Sequence, residues 1–209
     1  MIALENVTVV EDGEVLLAPL SLTIRDGEAA FVCGPNGSGK TTLLHVLAGT
    51  RRPTSGRVSM TGVNVSNRDS RFRRSVAALI GVPPLARELT VWEHLAMVMA
   101  TWSQQREHGT GACETILDEL DIASVRDRFP HELSSGQTQL FALALILSRP
   151  CSVLLLDEPE QRLDAKHVSL LAEVLAKRRA GGTTLVVASH SETLTASIAD
   201  HRCDLSENR

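Results

Sequence analysis

Nine consecutive residues, Gly34-Pro35-Asn36-Gly37-Ser38-Gly39-Lys40-Thr41-Thr42, limit what this chain can fold into more than any other stretch. They fit G-x-x-x-x-G-K-[ST], a loop whose backbone N–H groups wrap a polyphosphate. Such a loop needs a strand before it and a helix behind it. The apolar run Ala29 to Cys33 reads as a buried strand, and Leu43 to Ala48 reads as a helix ending at Gly49. The glycines permit a tight turn and keep side chains out of the space between N–H groups and phosphate oxygens. The positive end of the helix then faces the anion. Lys40 is expected to reach the β- and γ-phosphates, and Thr41 to offer its hydroxyl to Mg²⁺. With glycine at about 7% of residues, the bare pattern arises by chance about once in 100 chains of this length. The matching flanks make chance rarer still.

A chain of 209 residues can bury a full core and is read as one domain. The formal net charge of −4 and the lack of a basic stripe argue against a nucleic-acid partner. Arg71-Phe72-Arg73-Arg74 is too short to serve as one and reads as a solvated helix face. Cys33, Cys113, Cys151 and Cys203 contain no C-x-x-C pair and read as buried, reduced thiols. The N-terminus lacks a basic-then-apolar signal pattern. The longest apolar tract, Leu140 to Leu147, is too short to span a bilayer. A cytosolic protein is expected, with any membrane role exercised through a partner.

Ile2 to Val10 and Val15 to Ile24 flank Glu11-Asp12-Gly13-Glu14 and predict an antiparallel hairpin. Arg51 to Gly56 reads as loop, Arg57 to Met60 as a short strand, Ser70 to Arg74 as a helical turn, and Val76 to Val82 as a strand stopped by Pro83-Pro84. Helices follow at Val91 to Trp102, capped by Thr90 with Glu93 at the third position, then at Ala112 to Leu120, Ala123 to Phe129 and Gly136 to Leu147. Strands return at Ser152 to Leu156 and Thr183 to Ala188, on either side of a helix from Leu163 to Arg179. A helix at Glu192 to Ile198 and a strand near Arg202 to Leu205 close the chain. Strand–helix alternation around an inserted helical block predicts an α/β fold with a mostly parallel sheet.

Three further stretches carry chemistry. The run Cys151 to Leu156 ends in Asp157-Glu158, and carboxylates at the carboxyl end of a buried strand belong at a ligand crevice. Asp157 is placed to hold Mg²⁺, and Glu158 to orient and deprotonate an attacking water. Leu133-Ser134-Ser135-Gly136-Gln137 precedes an apolar helix; on its own it reads either as an N-cap or as an anion site. Ser189-His190 follows a second apolar strand.

Taken together these four motifs resemble the ATP-binding subunit of ABC transporters, over nearly the whole chain from Leu4-Glu5-Asn6 to His190. The resemblance implies a single ABC ATPase domain over residues 1–209, with a phosphate-loop α/β core, an N-terminal antiparallel β part and an inserted helical subdomain at about 85–149. It implies that two such subunits, identical or different, close head to tail over two ATP molecules. Gly34 to Thr42 of one would face Ser134, Ser135, Gly136 and Gln137 of the other, and His190 would contact the γ-phosphate. It implies ATP and Mg²⁺ as ligands. It also implies an integral membrane transporter subunit as the partner that holds this chain at the inner face of the cell membrane.

The chain departs from the family pattern at four places. Glu11 stands where an aromatic that stacks adenine is usual, and the chain has no tyrosine. Ser135 replaces a glycine. Pro83-Pro84 occupy the place of an expected glutamine, with Gln104 and Gln105 too far downstream to supply it. Gln161 and Arg162 replace small residues before Leu163-Asp164. Two other functions stay open at this point: a soluble ABC ATPase, and an ATP-gated interaction module with little turnover. Only residues 191–209 follow His190, and this compact ending leans the expectation towards an exporter.

Overall fold

A computed structural model describes residues 1–60, 63–102 and 109–208. Gln104 and Gln105 lie outside the described residues. The chain opens with the expected hairpin, β1 (Ile2–Glu11) and β2 (Glu14–Ile24). Its turn residues Asp12 and Gly13 both have positive φ, 50° and 83°. This is the mirror-image turn that matches the twist of the two strands. β4 (Ser55–Met60) pairs with the other edge of β1, and β5 (Val63–Asn64) extends it, giving an antiparallel sheet in the order β2-β1-β4-β5.

The second sheet comprises β3 (Ala29–Cys33), β6 (Val76–Leu79), β7 (Val153–Asp157), β8 (Thr184–Ala188) and β9 (His201–Asp204). Its order is β6-β7-β8-β3-β9, and all its pairings are parallel. Residues alternate strictly between two cores. Phe31, Leu154, Leu156, Leu185 and Val187 face one cluster, while Val32, Val153, Leu155, Val186 and Ala188 face the other. The first cluster is covered by α3 (Val91–Trp102), α4 (Gly109–Glu119), α5 (Ser135–Leu147), α6 (Ala165–Ala180) and α7 (Glu192–Ile198). The second is covered by α1 (Lys40–Leu47), the antiparallel sheet and Phe72 of α2 (Ser70–Ser75). Each buried aliphatic side chain is worth about 1.5–3 kcal/mol, so β3, β7 and β8 are pinned from both faces.

The strand order positions the site. β8 lies between β7 and β3, so the carboxyl ends of three strands far apart in sequence become neighbours. In open α/β sheets the ligand crevice lies outside the strands' carboxyl ends.

Two expectations need correction. The strand predicted over Val76 to Val82 ends at Leu79, because Gly81 has φ 74° and turns the chain off the sheet. Val82 is exposed and two residues without N–H donors follow it. The helix predicted over Ala123 to Phe129 is only a 3-10 turn at Ala123–Val125. The carbonyls of Arg126 and Arg128 instead accept the N–H groups of Trp92 and Val91, at 2.9 and 3.0 Å, and so satisfy the head of α3. The predicted capping box of that helix is present: Thr90 N–H donates to Glu93 Oε2 at 2.8 Å, and Glu93 N–H to Thr90 Oγ1 at 3.2 Å.

Candidate functional site

Gly39 begins α1 with φ 100°, a conformation that L side chains resist. A Cβ there would also lie 2.6 Å from the carbonyl oxygen of Leu16, so backbone angle and space both demand glycine. The next residue, Lys40, is 6% exposed. Its ammonium donates to the carbonyls of Gly34 (2.8 Å) and Pro35 (3.3 Å), so the loop curls around its own cation. Asn36, Gly37, Gly39, Thr41 and Thr42 line a cleft of about 540 Å³, closed on one side by Glu158. Ser38 is buried behind the loop, and its hydroxyl has no hydrogen-bond partner among the described residues.

The Thr41 hydroxyl at the head of α1 donates to Asp157 Oδ2 at 2.7 Å. A hydroxyl and a carboxylate held this close form an oxygen-only donor pair that suits Mg²⁺. Glu158, one residue past β7, has φ 45°, and its N–H donates to the Ala188 carbonyl at the end of β8 (2.8 Å). A residue held at such an angle costs on the order of 1–3 kcal/mol and persists where the surroundings enforce it. Glu158 Oε1 lies 3.6 Å from His190 Nε2, and Oε2 accepts from Gln161 Nε2 at 3.3 Å.

Ser134, Ser135, Gly136 and Gln137 lie elsewhere. They line a separate cavity of about 580 Å³, bordered by Arg162, Leu163, Asp164 and His167, that shares no residue with the Lys40 cleft. The capping alternative holds geometrically: Ser134 Oγ accepts from Gln137 N–H (3.3 Å), and Gln137 Oε1 accepts from Ser134 N–H (3.0 Å). A Cβ on Gly136 would sit 2.9 Å from the Arg162 carbonyl oxygen, so the helix head and the loop after β7 touch backbone to side chain position. Asp164 caps α6, and the His167 N–H holds its carboxyl below the usual carboxylate range.

The position counted for an adenine-stacking aromatic needs correction. Glu11 does not line the cleft; it pairs with Arg51 at 3.2 Å. Glu14, Val15 and Leu16 form that wall, and Val15 is 60% exposed. Sequence reasoning also missed Gln139, which is buried and donates to the Pro159 carbonyl at 3.1 Å. An amide side chain directly before the apolar run of α5 was the available signal. Of the four cysteines expected to be buried only Cys113 is; Cys33, Cys151 and Cys203 are half-buried. Burial pushes the thiols of Cys33, Cys113 and Cys151 up, which lowers their reactivity. No helix among the described residues is long and apolar enough to cross a membrane.

A family model described as ABC transporter matches residues 17–161. A putative 2-aminoethylphosphonate import ATP-binding protein of Salmonella choleraesuis is 33% identical over 201 residues, which is 95% of this chain and 54% of that protein. The chain thus spans about half the length of the curated relatives that head the comparison. A cobalt import ATP-binding protein of Rhodobacter capsulatus is 36% identical over 205 residues, covering 96% of this chain and 73% of the relative. Among solved structures, the post-hydrolysis dimer of the ATP-binding cassette MJ0796, bound to ADP and Pi, superposes with a TM-score of 0.84 at 25% identity. That match covers 95% of this chain and 91% of the other. With its fold, its phosphate loop and these matches in agreement, this chain belongs to the ABC transporter ATP-binding family.

Proposed function

We propose that this chain binds and hydrolyses ATP with Mg²⁺, as one of a pair of ATPase subunits that drive an integral membrane transporter. The observation that carries the proposal is the junction of β3, β7 and β8, where Lys40, Thr41 and Glu158 line one cleft, with Asp157 bonded to Thr41 and His190 beside Glu158. Backbone N–H groups of Gly34 to Thr42 would cradle the phosphates, and Lys40 would leave its two loop carbonyls for phosphate oxygens. Thr41 and Asp157 would hold Mg²⁺, which when bound neutralises charge on the β- and γ-phosphates. Glu158 would orient water and take its proton, and His190 beside it would meet the γ-phosphate. Ser134 and Gly136 line a different cavity, so they serve the nucleotide of a partner subunit; the dimeric state of the MJ0796 cassette supports this arrangement. The membrane subunit would hold the chain peripherally on the inner face of the membrane.

The export direction suggested by the short ending finds no support, since both relatives described above are named for import. Those names favour uptake.

The proline loop bears on rate. Ala86 N–H donates to His94 Nε2 at 3.0 Å, so the segment after Pro83-Pro84 is tied to α3. Prolines stiffen the residues on either side. Steady-state phosphate release from wild type, Pro84→Gln and Glu158→Gln tests the whole reading. Slow wild-type turnover, a rise in Pro84→Gln and a loss of at least about 100-fold in Glu158→Gln are expected. Wild-type rates in Glu158→Gln would reject Glu158 as the base.

A further inference from the structure

Two carboxylates two residues apart grip His190 from opposite ends. Glu158 Oε1 approaches the ring at Nε2 (3.6 Å), while Glu160 Oε1 accepts the His190 backbone N–H at 3.0 Å. The same Glu160 oxygen also accepts from Ser189 Oγ at 2.6 Å and Ser191 N–H at 3.2 Å. All three donors belong to the short segment between β8 and α7 that carries His190. Ser189 is 1% exposed, and its hydroxyl is further fixed by accepting from Ser191 N–H at 2.9 Å. The other Glu160 oxygen is buried and has no hydrogen-bond partner among the described residues, so the bonds that the carboxylate makes there all go to this one segment. Hydrogen bonds to a carboxylate are roughly twice as strong as neutral ones, so these three bonds tie the loop after β7 firmly to the segment after β8. The preceding residue is held in turn: the Pro159 carbonyl accepts from Gln139 of α5, the helix capped by Ser134.

We propose that Glu160 is a positioning residue that sets His190 against Glu158 by clamping its backbone, and that Gln139 braces this clamp from α5. The proposal rests on the ATPase reading for its consequence in turnover, but the clamp itself can be read without turnover. Loss of three charge-assisted bonds would let the His190 segment drift, and a displacement of about 1 Å near the chemistry can lower a rate about 100-fold.

The test compares wild type, Glu160→Ala, Glu160→Gln, His190→Ala and the Glu160→Ala/His190→Ala double variant. Amide hydrogen exchange of the 189–191 segment, ATP affinity and steady-state phosphate release are measured on each. Glu160→Ala should speed exchange in that segment and lower kcat by about 10- to 100-fold, with ATP affinity within about twofold of wild type. Adding it to His190→Ala should cost nothing further, since both remove one arrangement. Glu160→Gln keeps an acceptor oxygen and should recover most of the protection and most of the rate. A Glu160→Ala protein that loses only thermal stability, or whose loss multiplies with that of His190→Ala, overturns the proposal. If wild type releases no phosphate, the ATPase reading fails, and exchange alone decides the clamp: unchanged exchange in Glu160→Ala overturns it.

Discussion

The groups around Lys40 are tied to distant parts of the chain. Thr41 bonds a carboxylate 116 residues away, Glu158 takes its place through the end of β8, and the His190 segment hangs from the loop after β7. Around Ser134 the ties are local: Ser134 and Gln137 satisfy one another within a single helical turn. The difference shows which of the two can work alone. A site assembled from three adjacent strands holds Lys40, the Thr41 and Asp157 oxygens and Glu158 in place before any ligand arrives, and costs little reorganisation on binding. A helix head that satisfies itself is a rigid feature whose remaining donors point outward, suited to a ligand that another subunit carries.

The comparison breaks first, and with the largest effect, at Lys40. Lys40→Ala removes the cation on the phosphates and leaves neutral N–H donors, so ATP affinity by calorimetry should fall by at least about 100-fold. Unchanged affinity would mean that the cleft does not depend on its own loop. A smaller effect, confined to the other region, is expected of Gly136→Ala. The added Cβ meets the Arg162 carbonyl at 2.9 Å, and such overpacking costs about 1–3 kcal/mol. ATP affinity of the isolated subunit should stay within about twofold of wild type while turnover drops about tenfold or more. A fall in affinity would show that the two regions are not separate. The smallest effect concerns the base. With Glu14, Val15 and Leu16 as the wall and no aromatic among the described residues that line the cleft, stacking worth about 1–3 kcal/mol per base is not expected. A competition titration should therefore show ATP preferred over GTP by less than about 100-fold.

The same contrast explains what was legible in the sequence. Local rules found the phosphate loop, the Thr90–Glu93 capping box and the Asp12-Gly13 hairpin, because each is decided by residues within a few positions of one another. The apolar runs of β3, β7 and β8 were legible because strands buried on both faces have no polar residues to spare. Their order across the sheet was not in those runs, and it is the order that brings Thr41 to Asp157 and Glu158 to His190. No local rule singles out Glu160, and only the fold reveals that its carboxylate meets the His190 segment. The helix expected at Ala123 to Phe129 failed for a similar reason: tertiary demand for carbonyls at the head of α3 outweighed local propensity.

Sedimentation velocity, with bound nucleotide measured in parallel, tests the division of labour most directly. Glu158→Gln should convert from monomer to dimer when ATP and Mg²⁺ are added, because nucleotide is held and not consumed. Glu158→Gln/Gly136→Asp should bind ATP equally well and stay monomeric, because the new carboxylate would face a partner's phosphates. A double variant that still dimerises, or one that loses ATP along with the dimer, would contradict the account.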